Sequence, residues 1–347
     1  MSAPRSIAYL GNSLTVQKAG YRPALHQRLE LHWGASLHQV NAGLGGVGSL
    51  ACACLLDLLV LRHQPDLCLI ECSAADMLGA TSPAQIGPSL ETIVRELLAA
   101  SVEPVLLHLP WRHSEPAQRE FTLAAYQRVA DHYGICSLSL WDRWLPHDGA
   151  LLDDGKHLTR QGGAEVADTI VPLLAAAWMQ RLERPRTTPH PLHPQRTQWL
   201  AAAASDPRIS PTEHCRRSRF RLSLPMLEVP VAEAVTITPP AGEAITGLLV
   251  VADNDSGVVE LSSHGQQECV QIRDQWCDHP RLQMILLDPA ITERLQLQMS
   301  CLRIADRDCR HQASAPMAPG TMLRLIGAAC TGTPPLGRAP WWQEPLP

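Results

Sequence analysis

Residues 6–15 read SIAYLGNSLT, an apolar run that ends in glycine, asparagine and serine. Four more short strand-like runs occur in the first half of the chain, and we predict strands at 6–10, 37–41, 66–71, 104–109 and 136–140. Helical patterns lie between and after them, at 23–33, 49–63, 83–100, 115–133 and 161–181. The strands are not polar at alternate positions, as expected when helices cover both faces of a sheet. This alternation predicts a doubly wound α/β sheet over residues 1–182.

The second half of the chain follows a different pattern. Prolines punctuate a polar stretch at 183–218, which predicts a surface linker with one short helical turn at 199–204. From residue 219 the apolar period drops to two, and short β-like runs separated by turn residues predict a jelly-roll-like β-sandwich at 219–332. Residues 333–347 form a tail too rich in proline for regular structure.

Composition argues against several classes of protein. A net charge of -5 without a basic run argues against a nucleic-acid partner. No stretch approaches the roughly 20 apolar residues that a membrane span needs. The 11 cysteines are odd in number and scattered, and no signal-peptide pattern precedes the first strand, so we expect a cytoplasmic location.

The ends of the strands are where chemistry is expected, because ligands of doubly wound sheets bind beyond the carboxyl ends of the strands. Gly11 follows the first strand and allows a sharp turn that presents Ser13 above the sheet. A serine nucleophile needs a base and a group that orients the base. Asp154 and His157 lie three residues apart ahead of the last helix and are able to converge on one point. The alternatives are a serine that only caps local backbone and a solvated Asp-Gly turn.

A glycine-rich stretch, NAGLGGVGS at residues 41–49, follows the second strand. Closely spaced glycines allow bare backbone N–H groups to approach a ligand, as an oxyanion hole requires. The alternative is a phosphate-binding loop of the dinucleotide kind, which would follow the first strand instead. We therefore favour an oxyanion loop.

Together these three fragments resemble the SGNH, or GDSL-type, hydrolase superfamily over residues 6–182. Residues 11–13 are similar to its first block, with Asn12 where aspartate is more usual, residues 41–46 to its second, and residues 154–157 to its fifth, Asp-x-x-His. The resemblance implies a flavodoxin-like three-layer α/β/α fold. It also implies a triad and two backbone oxyanion donors, which are the side chains of Ser13, Asp154 and His157 and the N–H groups of Ser13 and Gly46.

One departure from the family pattern follows the third strand. The family usually has Gly-x-Asn-Asp there, and the asparagine amide is a third oxyanion donor. Residues 71–76 read ECSAAD, which puts Ala75 in the place of the asparagine. Losing one such donor costs roughly 3–4 kcal/mol of transition-state stabilisation. Ser73 is the nearest substitute, and Asp76 is expected to shape the loop by accepting backbone hydrogen bonds.

Two residues after the fourth strand are further candidates for binding substrate. The indole of Trp111 suits sugar stacking and Arg112 suits a carboxylate, and the alternative for both is ordinary packing. Asn12, Ser73 and Asp76 complete the set of candidate substrate-binding residues. The histidines and cysteines do not form a complete tetrahedral set, so we expect neither a metal nor a cofactor.

These observations predict a serine-dependent esterase that removes small O-acyl groups, acetyl-like as the superfamily implies, from a carbohydrate or related metabolite through an acyl-enzyme. One alternative is an O-acyltransferase in intracellular glycan or metabolite biosynthesis. A second alternative, which Ala75 favours, is a non-catalytic binding protein on an SGNH scaffold.

Overall fold

The computed structural model describes residues 3–79, 81–141, 148–181, 191–193, 196–201, 224, 226–231, 233–253, 256–263, 265–272, 280–300 and 322–332. The chain divides into two compact units, and the division falls between Arg196 and Thr197. The domain boundaries expected from the sequence remain predictions. Among the described residues, no helix combines the length and the apolar character that a membrane span requires.

A parallel sheet of five strands forms the centre of unit 1. Its strands are β1 Ser6–Gly11, β2 His38–Gly43, β3 Leu67–Glu71, β4 Glu103–His108 and β5 Cys136–Ser139. They lie in the order β2-β1-β3-β4-β5, which is the flavodoxin-like order. Strands β2 and β3 lie on opposite sides of β1, so the strand order reverses at β1, and a crevice is expected at the carboxyl end of this strand. The α/β prediction is confirmed.

Helices cover both faces of this sheet. They are α1 Ser13–Val16, α2 Tyr21–Trp33, α3 Ser49–Cys54, α4 Leu56–Leu59, α5 Ser73–Leu78, α6 Pro83–Ala99, α7 Pro116–Tyr133, α8 Asp148–Leu151 and α9 Arg160–Gln180, with a 3₁₀ turn at Leu61–His63. Ile7 of β1 packs with Leu25 of α2 and Ile170 of α9. Ala8 and Leu10 point to the other face and are also fully buried. Burial on both faces explains why β1 is apolar at consecutive positions.

One predicted helix, at 49–63, is interrupted. The structure divides it into α3, α4 and the 3₁₀ turn, because the backbone leaves helical geometry at Leu55 and Val60. All the apolar residues of this stretch suit a buried helix, so the apolar period does not reveal the two breaks.

Unit 2 is a β-sandwich, as predicted. Its strands are β6 Arg196–Ala201, β7 Leu227–Pro230, β8 Ala234–Ile237, β9 Glu243–Ala252, β10 Val258–Ser263, β11 Gln266–Gln271, β12 Arg281–Ile291, β13 Leu295–Ser300 and β14 Met322–Gly332. One sheet has the order β11-β10-β13-β8, and the other has β12-β9-β14-β6 with β7 also paired to β14. Apolar side chains of both sheets, among them Leu248, Val250, Val259 and Leu297, form its core.

Strand β6 lies inside the stretch expected to be a linker, where we predicted a helical turn at 199–204. The structure has a strand at Arg196–Ala201 because its backbone pairs with β14, more than a hundred residues later in the chain.

Further upstream, the N–H groups of Leu192 and His193 each donate to the carboxylate of Glu91 at 2.6 Å. Tyr133 donates to the same carboxylate at 2.5 Å.

The sheet core predicts a clear difference between two leucines. Leu69 of β3 is fully buried, so we expect Leu69→Ala to lower the free energy of unfolding of unit 1 by about 2–5 kcal/mol. Leu31 is 75% exposed on α2, and Leu31→Ala is expected to change it by less than about 0.5 kcal/mol. Calorimetry on the full chain measures both, and equal effects would contradict the described core.

Candidate active site

The turn after β1 presents Ser13 at the first position of α1. Asn12 caps this short helix, and its Oδ1 accepts from the N–H of Leu14 at 2.9 Å. Gly11 is required for close packing rather than for an unusual backbone angle. A Cβ at Gly11 would clash with the carbonyl oxygen of Glu71 and the hydroxyl of Thr15. Ser13 itself stays partly exposed, so its hydroxyl is accessible to a substrate.

The side chains of Ser13, His157 and Asp154 form a connected relay. Nε2 of His157 lies 2.9 Å from Oγ of Ser13, although 144 residues separate them in the chain. Nδ1 of His157 lies 2.7 Å from Oδ2 of Asp154. A carboxylate only accepts, so Nδ1 carries the proton and Nε2 is left to accept from the serine hydroxyl. This is the geometry that activates a serine.

Asp154 stays ionised across the range in which a histidine base works. Partial burial opposes its ionisation, but hydrogen bonds from the side chain and backbone of His157 outweigh that effect and lower the pKa of Asp154 to about 2. The N–H of His157 donates to Oδ1 at 2.7 Å, and the N–H of Lys156 donates at 3.1 Å. The charged carboxylate therefore holds the imidazole in one tautomer and orientation.

The loop that carries Asp154 and His157 is fastened to the nucleophile helix by Gln17. Its Nε2 donates to the carbonyl of Leu158 at 2.7 Å, and its Oε1 accepts from the N–H of Leu158 at 3.1 Å. A short bridge between Leu152 and Leu158 closes the base of the loop. Sequence reasoning missed Gln17, because a glutamine directly after a four-residue helix carries no signal of a partner so distant in the chain.

The glycine-rich loop reaches the same edge of the sheet. Gly43 pairs in register with Gly11, and the N–H of Leu44 donates to the carbonyl of Gly11 at 2.8 Å. Gly46 then makes an exposed turn with a φ of 79°, a backbone conformation that favours glycine. The turn that bears the Gly46 N–H group therefore comes directly after a backbone hydrogen bond to the nucleophile strand.

Three of the candidate substrate-binding side chains are buried instead. Asn12, Ser73 and Asp76 are 3%, 0% and 0% exposed, so the structure corrects the expectation that they line the accessible site. The hydroxyl of Ser73 lies 3.1 Å from Nδ1 of His108, which is the partner that burial requires, and it is not directed at an oxyanion. Trp111 is half-buried and Arg112 is exposed, so these two remain at the surface.

Arg112 lies beside the loop that carries Asp154 and His157, called here the triad loop. Its N–H donates to the carbonyl of Gly155 at 2.8 Å, and a Cβ at Gly155 would meet the side chains of Arg112 and His113. Gly155 has a φ of 79°. The loop after β4 therefore forms one wall next to Asp154 and His157, and its exposed Arg112 is in reach of a substrate that enters there.

A buried carboxyl group that sequence reasoning missed lies beneath the nucleophile turn. Glu71 is fully buried at the end of β3, where it accepts from Nδ2 of Asn12 at 3.0 Å and from Oγ1 of Thr15 at 3.2 Å. Burial raises the pKa of Glu71 to about 8 against these hydrogen bonds. The amide of Asn12 supplies a donor that an aspartate would not, which gives a physical reason for the departure at this position.

This contact predicts the effect of restoring the more usual residue. Asn12→Asp would set two carboxyl groups against each other, so the folded state would have to share a proton between them. The folded pKa of the pair rises above its unfolded value, and stability is lost as pH rises. We expect Asn12→Asp to destabilise unit 1 by about 1–3 kcal/mol at pH 8 and by less at pH 5.

Asn41→Asp is the matched control, because Asn41 is exposed and its Oδ1 accepts from the N–H of Gly43, which an aspartate also does. Denaturant unfolding at the two pH values measures both variants. An Asn12→Asp penalty that does not change with pH would contradict the pairing of Asn12 with Glu71.

Comparison with known proteins extends these observations. The model of the GDSL-like Lipase/Acylhydrolase family matches residues 9–165. Thioesterase 1/protease 1/lysophospholipase L1 from Escherichia coli strain K12 is 28% identical over 183 residues, which cover 48% of this chain and 82% of that protein.

A two-domain esterase has a similar fold. The crystal structure of an esterase (CEX) active on acetylated mannans, co-crystallised with mannopentaose, covers 94% of this chain and 91% of its own, with a TM-score of 0.67 and 16% identity. A second structure of such an esterase gives a TM-score of 0.64 at 15% identity. At this identity the likeness shows the fold alone. The family model and the thioesterase confirm the resemblance of unit 1 to the GDSL-like lipases and acylhydrolases that its motifs predicted, and with it the class of serine ester hydrolase.

Proposed function

We propose that unit 1 is an esterase that removes small, acetyl-like O-acyl groups from a carbohydrate or a related metabolite through an acyl-enzyme. The observation that carries this proposal is the continuous hydrogen-bonded relay from Ser13 through His157 to Asp154. Each of its members has the partner that its role needs. A serine that only capped local backbone would not require the second and third members.

The reaction proceeds in two steps. Oγ of Ser13 attacks the ester carbonyl carbon while Nε2 of His157 takes its proton, and Asp154 stabilises the resulting imidazolium. The tetrahedral intermediate collapses to an acyl-serine, and His157 returns the proton to the leaving alcohol. Water then attacks the acyl-serine with His157 again as the base, which releases the carboxylic acid and restores Ser13.

The negative oxygen of each intermediate is stabilised by the N–H groups of Ser13 and Gly46. An alanine at position 75 leaves out a side-chain donor, and Ser73 does not replace it because its hydroxyl bonds His108. Ala75 is partly exposed in the first turn of α5, next to the end of β3. A two-donor oxyanion hole supports turnover, but more slowly than three donors would.

The carbohydrate part of the proposal rests on three observations. The similar two-domain esterase is active on acetylated mannans, although that is a fact about that protein. Trp111 and Arg112 remain at the surface on a loop bonded to the triad loop, and an indole and a guanidinium suit sugar rings and their substituents. A β-sandwich follows the catalytic unit in the chain, and by analogy of fold alone such a domain is a candidate for binding carbohydrate. The cytoplasmic location expected from the scattered cysteines is part of this proposal.

Covalent labelling tests the nucleophile. We expect a fluorophosphonate probe to label Ser13, and His157→Ala to slow that labelling by about 10²–10⁴-fold because no base remains. His32→Ala is the control, since His32 is exposed on α2, away from the relay. Peptide mass spectrometry identifies the labelled residue. A folded wild-type chain that stays unlabelled would favour the binding-only alternative.

A panel of acetylated sugars and short-chain esters tests the substrate class in the same preparation. We expect release of acetate from acetylated sugars to exceed release of longer acyl groups. Product analysis with an acyl donor and a sugar acceptor separates hydrolysis from transfer. Acyl-sugar formation above hydrolysis would replace the esterase proposal with the acyltransferase alternative.

Restoring the missing donor provides a gain-of-function test. We expect Ala75→Asn to raise kcat by about 10-fold or more, because an amide N–H added to the oxyanion hole stabilises the transition state. Leucine has nearly the shape of asparagine but no donor, so Ala75→Leu is expected to give no increase in kcat. Steady-state kinetics on one short-chain ester measures both. Equal behaviour of the two variants would exclude position 75 from the oxyanion hole.

A further inference from the structure

The segment from Gly43 to Gly48, called here the oxyanion loop, is fixed at two points on either side of Gly46. On the upstream side, the N–H of Leu44 donates to the carbonyl of Gly11 at 2.8 Å. On the downstream side, the N–H of Ser49 donates to Oδ1 of Asp76 at 2.9 Å. The first attachment is a bond between two backbone groups. The second attachment depends on a side chain, that of Asp76.

Close packing supports the second attachment. Gly48 lies so near Asp76 that a Cβ there would clash with Oδ1. Its backbone φ is -98°, which any residue adopts. Glycine is therefore needed at this position because the carboxylate approaches so closely. By contrast, a Cβ at Gly45 in the same loop would meet nothing within 4 Å.

Asp76 is itself held from the opposite side. Tyr126 of α7 donates to Oδ2 at 2.6 Å, and its ring meets the ring of His108 edge-on, with centroids 5.2 Å apart. Both nitrogens of His108 are bonded, to Ser73 at 3.1 Å and to Ser137 at 3.0 Å. The carboxylate therefore connects the oxyanion loop to α5 and α7.

We propose that Asp76 is a positioning residue for the reaction, which holds the Gly46 N–H group in place through its hydrogen bond to Ser49. It does not touch the substrate, because its side chain is fully buried. The inference rests on the proposed function, since it concerns the oxyanion hole of that reaction. A displacement of about 1 Å in such a donor lowers catalysis by up to about 10²-fold, so a buried anchor for the loop has a measurable effect.

The test compares variants that differ in what they offer to the Ser49 N–H group. Asp76→Ala removes the acceptor and is expected to lower kcat by about 10–100-fold with KM changed by less than about 3-fold. Asp76→Asn keeps an amide oxygen as acceptor and is expected to retain most of kcat. Gly48→Ala displaces the same carboxylate from the other side and is expected to resemble Asp76→Ala.

Tyr133→Phe is the control for stability. It removes another tyrosine-to-carboxylate bond within unit 1, that of Tyr133 to Glu91, and we expect it to lower the melting temperature without lowering kcat. Amide hydrogen exchange gives a second measurement that does not depend on activity. We expect Asp76→Ala and Gly48→Ala to speed exchange across residues 43–49, and Gly45→Ala to leave exchange at Ser49 unchanged.

The outcomes separate this inference from the proposed function. An unlabelled wild-type chain would overturn both. A wild-type chain that is labelled by fluorophosphonate, with an Asp76→Ala variant that reacts at the same rate, would overturn only the positioning role. An Asp76→Ala variant that loses stability to the same degree as Tyr133→Phe, with kcat unchanged, would also overturn it.

Discussion

The proposed chemistry of this protein depends on the two hydrogen bonds of the His157 imidazole. It reaches Ser13 on one side and Asp154 on the other, at 2.9 Å and 2.7 Å, and these distances leave little freedom for either loop. The parallel sheet makes the meeting possible, because all its strands end at one edge. The amide of Gln17 then holds the two loops together through both of its polar atoms.

Beneath this relay lies a second layer of polar groups that do not reach solvent. Glu71 supports the nucleophile turn, and Asp76 supports the oxyanion loop. His108 joins α5 to β5, and burial lowers its pKa to about 4, so it is neutral in this network. Buried polar groups are costly unless each is paired, and a fully paired network specifies one arrangement of the loops above it. This layer explains why polar residues near the site need not contact substrate.

Much of the fold was predictable from short patterns. Runs that are apolar at consecutive positions marked the three central strands of the parallel sheet, β1, β3 and β4, and the change to a period of two marked the sandwich. The prediction was wrong where distant pairing decided the outcome. Strand β6 forms because β14 satisfies its backbone, and nothing within residues 196–201 reports that partner. The helix predicted at 49–63 breaks at Leu55 and Val60 within a mostly apolar stretch.

The sequence by itself determined the chemistry that is available: a serine after the first strand, an Asp-x-x-His motif before the last helix, and an alanine where a third oxyanion donor is usual. Those assignments depend on residue type and order, which a sequence records directly. Only the tertiary structure decided which polar side chains are accessible. Ser73 and Asp76 lie within two residues of Ala75, where the third donor is missing, yet both face buried partners from other elements. Burial depends on packing between segments far apart in the chain, and local sequence does not contain that information.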